Sequence, residues 1–197
     1  MIDQHFVILG ALLSLTGSIG YARQTLRGRT RPNRVTWMMW SLAPLIGFAA
    51  ELSGGVGLPA IMTLSVGLGP LIVLVSSFFA PAAHWRLGPF DLACGALSVL
   101  ALILWQTLHS GNVAISMSIL ADGVAGMPTL RKIIIAPETE HTSVFRNSML
   151  NAAITLLTIR HWTFSAFGFP LYILIIAGTF YALLRFRPRA ARRQAPA

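Results

Sequence analysis

Seven apolar runs, separated by short segments rich in Arg, Pro and Gly, order the chain: approximately residues 6–22, 35–50, 57–80, 89–108, 112–130, 143–159 and 162–185. A hydrocarbon core about 30 Å thick is crossed by about 20 helical residues, so each run predicts one membrane helix. Several runs are short or contain Pro or Gly, which a helix in lipid tolerates only where neighbours satisfy the freed backbone groups. The connections carry turn chemistry. In Gly28-Arg29-Thr30-Arg31-Pro32-Asn33 the proline cannot continue the first helix, and Asn33 or Thr36 can cap the second. Ala136-Pro137-Glu138-Thr139 has the same chemistry before the sixth helix, with Thr139 or Thr142 as its cap.

Composition removes the soluble reading. The 197 residues are 55% hydrophobic, with 17 glycines besides, and only 11% are charged, against about 25% in a soluble domain. Seven spans use most of the chain, leaving no room for a separate soluble domain. The net charge of +9 suggests nucleic acid only if the basic residues share a soluble face. Instead they cluster beside apolar runs, Arg23 to Arg34 and Arg185 to Arg193, as cytoplasmic flanks of membrane helices do. Nucleic acid is therefore not an expected partner; membrane lipid is. Cys94 is the single cysteine, a small apolar residue with no disulfide to make. The first run lacks a positive n-region and a small-residue cleavage site, so it is expected to stay as a helix. The basic tail, 187–197, is expected to be disordered near lipid headgroups.

The charges also predict direction. One side of the membrane receives Arg23, Arg27, Arg29, Arg31, Arg34, Arg86, Arg131, Lys132 and the C-terminal cluster, with Arg146 close by; the other receives Arg160. The positive-inside rule then places the N-terminus outside and the C-terminus in the cytoplasm, as seven spans require. Short loops and the lack of targeting signals and Asn-x-Ser/Thr sites point to a bacterial inner membrane.

The third and seventh runs match at a constant offset: Met62-Thr63-Leu64-Ser65 through Pro70-Leu71 faces Trp162-Thr163-Phe164-Ser165 through Pro170-Leu171. Thr25-Leu26-Arg27 likewise matches Thr129-Leu130-Arg131, and Pro32 answers Pro137. Such self-similarity predicts a repeated three-helix unit: residues 1–80, a linker helix at 81–110, and a second unit at 111–186. One linker helix makes the copies parallel, a transporter arrangement with the substrate path at the repeat interface.

This 3-1-3 plan resembles the SWEET sugar transporters, the PQ-loop proteins and the PnuC vitamin transporters. Met127-Pro128-Thr129-Leu130 looks like a degenerate Pro-Gln motif carried by Pro128, and Arg23-Gln24-Thr25-Leu26 keeps the Gln, as Gln24. The resemblance implies an all-α membrane protein of seven helices. It also implies alternating-access transport of a small polar solute: a sugar, a vitamin or an amino-acid-like molecule.

The polar groups inside the runs are the candidate site. Asp122 is the one acid well inside a predicted span. A carboxylate there costs at least about 2.5 kcal/mol and so faces a cavity or a partner; it is the candidate for proton coupling, or else a structural carboxyl bonded at the kink before Pro128. Asn147, Asn151 and Thr155 recur every four residues on one face of the sixth helix. Asn151, the deepest, is expected to line the path, and Asn147 to bond a neighbouring helix. Trp37, close to Arg34, reads as an interfacial belt residue. Trp40 and Pro44 lie deeper, a path-lining indole and a hinge. Ser65 and Ser165 complete the predicted path on the repeated third helices. Ser14, Ser18, Gly10 and Gly17 predict close helix contact. The five histidines fall at helix ends or in loops, so no metal and no cofactor are expected. A carrier is the leading reading. A receptor on the same fold, with the basic 23–34 loop as its partner surface, is the alternative. An enzyme needs paired acid, base or nucleophile groups that the runs do not contain.

Overall fold

The computed structural model describes residues 2–53, 60–80, 85–107, 111–160 and 162–186; the predicted tail 187–197 lies outside them. The described residues form seven α-helices and no strand: α1 Phe6–Leu26, α2 Arg34–Ser53, α3 Ala60–Phe78, α4 Pro89–Thr107, α5 Gly111–Ile135, α6 Thr142–Thr158 and α7 Phe164–Phe186. Among them, α1, Ile61–Phe78 in α3 and Ala166–Phe186 in α7 are long and apolar enough to cross a membrane, and α4 holds a shorter apolar stretch, Pro89–Leu104.

Two helices outrun their apolar segments. α1 continues to Leu26 and α5 to Ile135, because Arg and Lys are good helix formers whose charge suits a helix C-terminus. Hydropathy sees only the apolar part. What ends α1 is Gly28, not Pro32: with φ at 72°, Gly28 donates its N–H to the Thr25 carbonyl while the Arg29 N–H reaches the Gln24 carbonyl, each at 2.9 Å. That is a Schellman cap, which needs a residue at ease in the left-handed region. The Asn33 side chain caps α2, accepting from Val35 and Thr36 N–H. At α6 the cap is His141, whose Nδ1 accepts from Ser143 N–H. Thr139, one of the two expected caps, is held in the preceding 3₁₀ turn by its own bond to the Ala136 carbonyl, and Thr142 is already helical.

Six helices close a ring. α1 packs between α3 and α6, α3 reaches α2, α2 meets α5, and α7 joins α5 to α6; α4 lies outside, against α5 and α2. In each triple the third helix sits between the first and the second, and the triples meet where the first helix of one touches the second of the other. The α1–α6 seam is tight because Gly10 and Gly17 face Asn151 and Asn147. Asn147 Nδ2 donates to the Leu13 carbonyl at 2.9 Å, and Ser143 Oγ to the Gly17 carbonyl.

Polarity runs opposite to that of a soluble globule. Leu12 is 57% exposed, Leu92 58% and Ile175 60%, while Ser14, Ser18, Asn151, Asp122 and Lys132 are buried. A contiguous apolar exterior marks an interaction or membrane surface. Buried polar groups then supply the helix-to-helix bonds that apolar contact alone does not.

Candidate functional site

The ring encloses a cavity of about 70 Å³ to which all six ring helices contribute. Each water needs roughly 10–15 Å³ on this measure, so several waters or a small polar group fit. Ser14 and Ser18 come from α1, Trp37 and Trp40 from α2, Pro70 from α3, Asp122 from α5, Ser148 and Asn151 from α6, and Ile176 and Phe180 from α7.

Asp122 sits where three helices meet. Its Oδ2 accepts from the Tyr172 hydroxyl of α7 at 2.8 Å. Its backbone carbonyl accepts from the Trp40 indole N–H of α2 at 3.2 Å. Glycines make room for both neighbours. A Cβ on Gly126, one turn beyond Asp122, would lie 3.2 Å from the Trp40 ring, and one on Gly123 would lie 3.4 Å from the Tyr172 oxygen. Trp40 stands edge-on to Trp37, with ring centroids 5.4 Å apart at 82°, and Trp37 packs on Tyr21 at 4.9 Å. Trp37 is therefore a core residue at 0% exposure, not an interfacial one. The helix around Arg34 is covered by the 3–4 connection, where Trp85 N–H reaches the Pro32 carbonyl.

Of the residues singled out from the sequence, Trp40, Asp122 and Asn151 come together on this cavity. Asn151 is 1% exposed, and its Oδ1 has no hydrogen-bond partner among the described residues. Pro44 is buried in α2, where it leaves the Trp40 carbonyl without a helical donor. Ser65 is buried in α3 with its hydroxyl turned back to the Met62 carbonyl at 2.7 Å. The side chain of Ser165 lies outside the described residues. Gln24 serves the α1 cap through its carbonyl, and Pro128 is buried in α5.

One end of the ring is closed by a network absent from the sequence reading. Lys132 Nζ and Glu140 Oε1 are 2.6 Å apart with both side chains fully buried. The Tyr21 hydroxyl donates to Glu140 Oε2 at 2.5 Å, and Lys132 also donates to the Arg31 carbonyl. Arg31 N–H meets the Thr139 carbonyl at 2.9 Å, which joins the 1–2 and 5–6 connections directly. Asn33 Nδ2 donates to Asp91 Oδ1 at 2.9 Å, tying α4 to the same knot. Spacing carries no sign of these pairs, since Tyr21 and Glu140 lie 119 residues apart.

No protein-family model, curated protein or solved structure matches this chain.

Proposed function

We propose that the chain is a membrane carrier that moves a small polar solute by alternating access between its two three-helix units, on the plan of the SWEET, PQ-loop and PnuC transporters. The observation that carries this reading is the cavity lined by all six ring helices, largely apolar in its walls but holding the Asp122 carboxyl together with Ser14, Ser18, Ser148 and Asn151. The common packing order of the two triples supports it as well, because two alike halves meeting at a central site are what rocking requires. The path residues are Trp40, Asn151 and Asp122, with Ser14, Ser18 and Ser148 added from the lining. The Lys132–Glu140–Tyr21 knot closes the arginine-bearing end, and the solute leaves or enters there only when it opens.

The receptor reading comes second: Thr30, Pro32 and Asn33 of the 23–34 loop are buried, while Arg23, Arg27, Arg29 and Arg31 stay exposed and could serve it as a docking surface. In this proposal all seven helices span a bacterial inner membrane with the N-terminus outside and the C-terminus in the cytoplasm. The test is a thermal-shift screen of sugars, vitamins, amino acids and organic amines on the detergent-solubilised protein, followed by flux of each stabilising solute into proteoliposomes. Saturable flux is expected. Stabilisation without flux of any hit would leave a binding protein and end the carrier reading.

A further inference from the structure

We propose that the solute is a small organic ammonium ion with an apolar body, exchanged against a proton at the Asp122 carboxyl; this rests on the carrier reading above. Asp122 is a buried acid without a protein counter-ion. Among the described residues the ion pairs are His5 with Asp3 and Lys132 with Glu140, and no Lys, Arg or His lies within ion-pair distance of Asp122. Its side-chain partner, the Tyr172 hydroxyl, is neutral and engages one oxygen, so a carboxylate lone-pair face is left for a cation. A buried carboxylate is stable only when paired or protonated.

The walls favour the same chemistry. Hydroxyl and amide groups lie on one side, from Ser14 and Ser18 of α1 and Ser148 and Asn151 of α6, while α2 and α7 present Trp40, Trp37 and Phe180. A polyol needs donors and acceptors around its whole ring. An ammonium head on an apolar body needs an acid set among aromatic residues, as Asp122 of α5 is set between Trp40 of α2 and Tyr172 of α7, and gains about 0.5–2 kcal/mol where the cation meets an indole face. Gly126 and the Trp40 N–H bond hold the indole beside Asp122.

One carboxylate cannot hold a proton and an ammonium ion together. Entry of R–NH3+ releases the carboxyl proton, and the return of a proton displaces R–NH3+. Both occupied forms of the site are neutral, whereas the empty ionised form carries a bare charge in a low-dielectric interior, which opposes rocking and makes exchange obligatory. The groups facing Asp122 from the packed elements do not titrate in its place. α7 offers the Tyr172 hydroxyl and α2 the Trp40 N–H. α4 offers Ser98, bonded to the Ala121 carbonyl, and Lys132 and Glu140 hold each other.

The experiment uses the purified full-length chain with benzylammonium and its neutral isostere benzyl alcohol as probes, read by tryptophan fluorescence and thermal shift. Benzylammonium is expected to bind at least about tenfold more tightly than benzyl alcohol, a difference of about 1.4 kcal/mol, with apparent affinity rising as pH rises. In Asp122→Asn that preference and its pH dependence should vanish, while benzyl alcohol is unaffected. Equal affinity for the two probes in the native protein overturns the proposal without any variant, and so does retained preference in Asp122→Asn. Proteoliposome flux separates the two readings. Benzylammonium that binds as described but is not carried defeats the carrier and leaves the cation site standing. Saturable flux of a neutral solute with no ammonium preference leaves the carrier and removes the cation site.

Discussion

Asp122 and His141 are the two side chains whose protonation the surrounding residues make consequential. Asp122→Asn keeps the shape and can still accept from Tyr172, because a neutral amide satisfies the same neighbours, but it cannot exchange a proton. Uptake driven by an imposed pH gradient should therefore lose its gradient dependence, while downhill equilibration of neutral solutes persists; unchanged gradient dependence in the variant would rule out coupling through this residue. His141 caps α6 with its ring nitrogen, and burial, followed by the charge of Arg146 and against that of Glu140, holds its pKa below 6.5. The unfolded chain thus binds more protons than the folded one as pH falls through that range. The stability contributed by the cap is complete above about pH 6.5 and is lost as pH drops through the folded value. Protection against amide exchange at the start of α6, taken relative to the base-catalysed intrinsic rate at each pH, should be lower at pH 5 than at pH 8, and His141→Asn, a cap that does not titrate, should flatten the difference. Asp122 stood out in the sequence because it is an acid inside an apolar run. Tyr172, Gly123 and Gly126 did not, because an aromatic or a glycine in such a run is unremarkable until the fold sets it against that acid. The reading of Trp37 as interfacial failed for a related reason: distance along the chain from Arg34 says nothing about the loop that folds over it.

At the scale of elements, the α1–α6 seam depends on small residues in a graded way. A Cβ on Gly17 would come within 2.8 Å of the Ser143 carbonyl, which is backbone and cannot step aside, whereas one on Gly20 would approach the Ser143 hydroxyl at 3.2 Å, which can rotate. Gly17→Ala should destabilise the protein by about 1–3 kcal/mol through overpacking, and Gly20→Ala by much less. Melting of the two variants in the same detergent checks the order, and equal losses would show that the helices slide apart freely. That α1 would pack closely was legible from Gly10, Ser14, Gly17 and Ser18, and that Asn147 would bond a neighbour was legible from its spacing; the partner helix was not. The number of helices and the central residues of each followed from hydropathy. Their basic ends did not, because Arg23, Arg27, Arg131 and Lys132 extend helices past the apolar limit. The α6 cap was missed because three capping residue types crowd its start, and the 3₁₀ turn at Pro137–Thr139 decides among them by occupying Thr139 first.

For the whole molecule, the asymmetry between the two ends of the ring bears most directly on mechanism. If the N-terminus is outside and the C-terminus inside, cysteines placed at positions 4 and 195 in a Cys94→Ala background should react with an impermeant maleimide from opposite sides of the membrane; reaction of both from one side would refute the topology. The arginine-bearing end is closed by the Lys132–Glu140 pair, with Tyr21 bonded to the acid. Such a pair is poor ballast for stability and a good latch. Breaking it by Lys132→Met leaves Glu140 charged and buried, a loss of about 3–5 kcal/mol, whereas removing both charges at once with apolar residues of similar size is close to neutral. Lys132→Met with Glu140→Met should therefore melt well above Lys132→Met alone. The double variant loses the side-chain bonds of Lys132 and Glu140 and keeps only the Arg31–Thr139 backbone bond between the 1–2 and 5–6 connections, so its population should shift toward the conformation open at that end. Ser18, on the cavity wall, reports the shift. In a Cys94→Ala background, Ser18→Cys should be labelled from the arginine-bearing side several-fold faster when both latch residues are Met. A double variant as unstable as the single, with Ser18→Cys no more reactive than before, would mean that the pair only braces the fold and that the ring opens elsewhere.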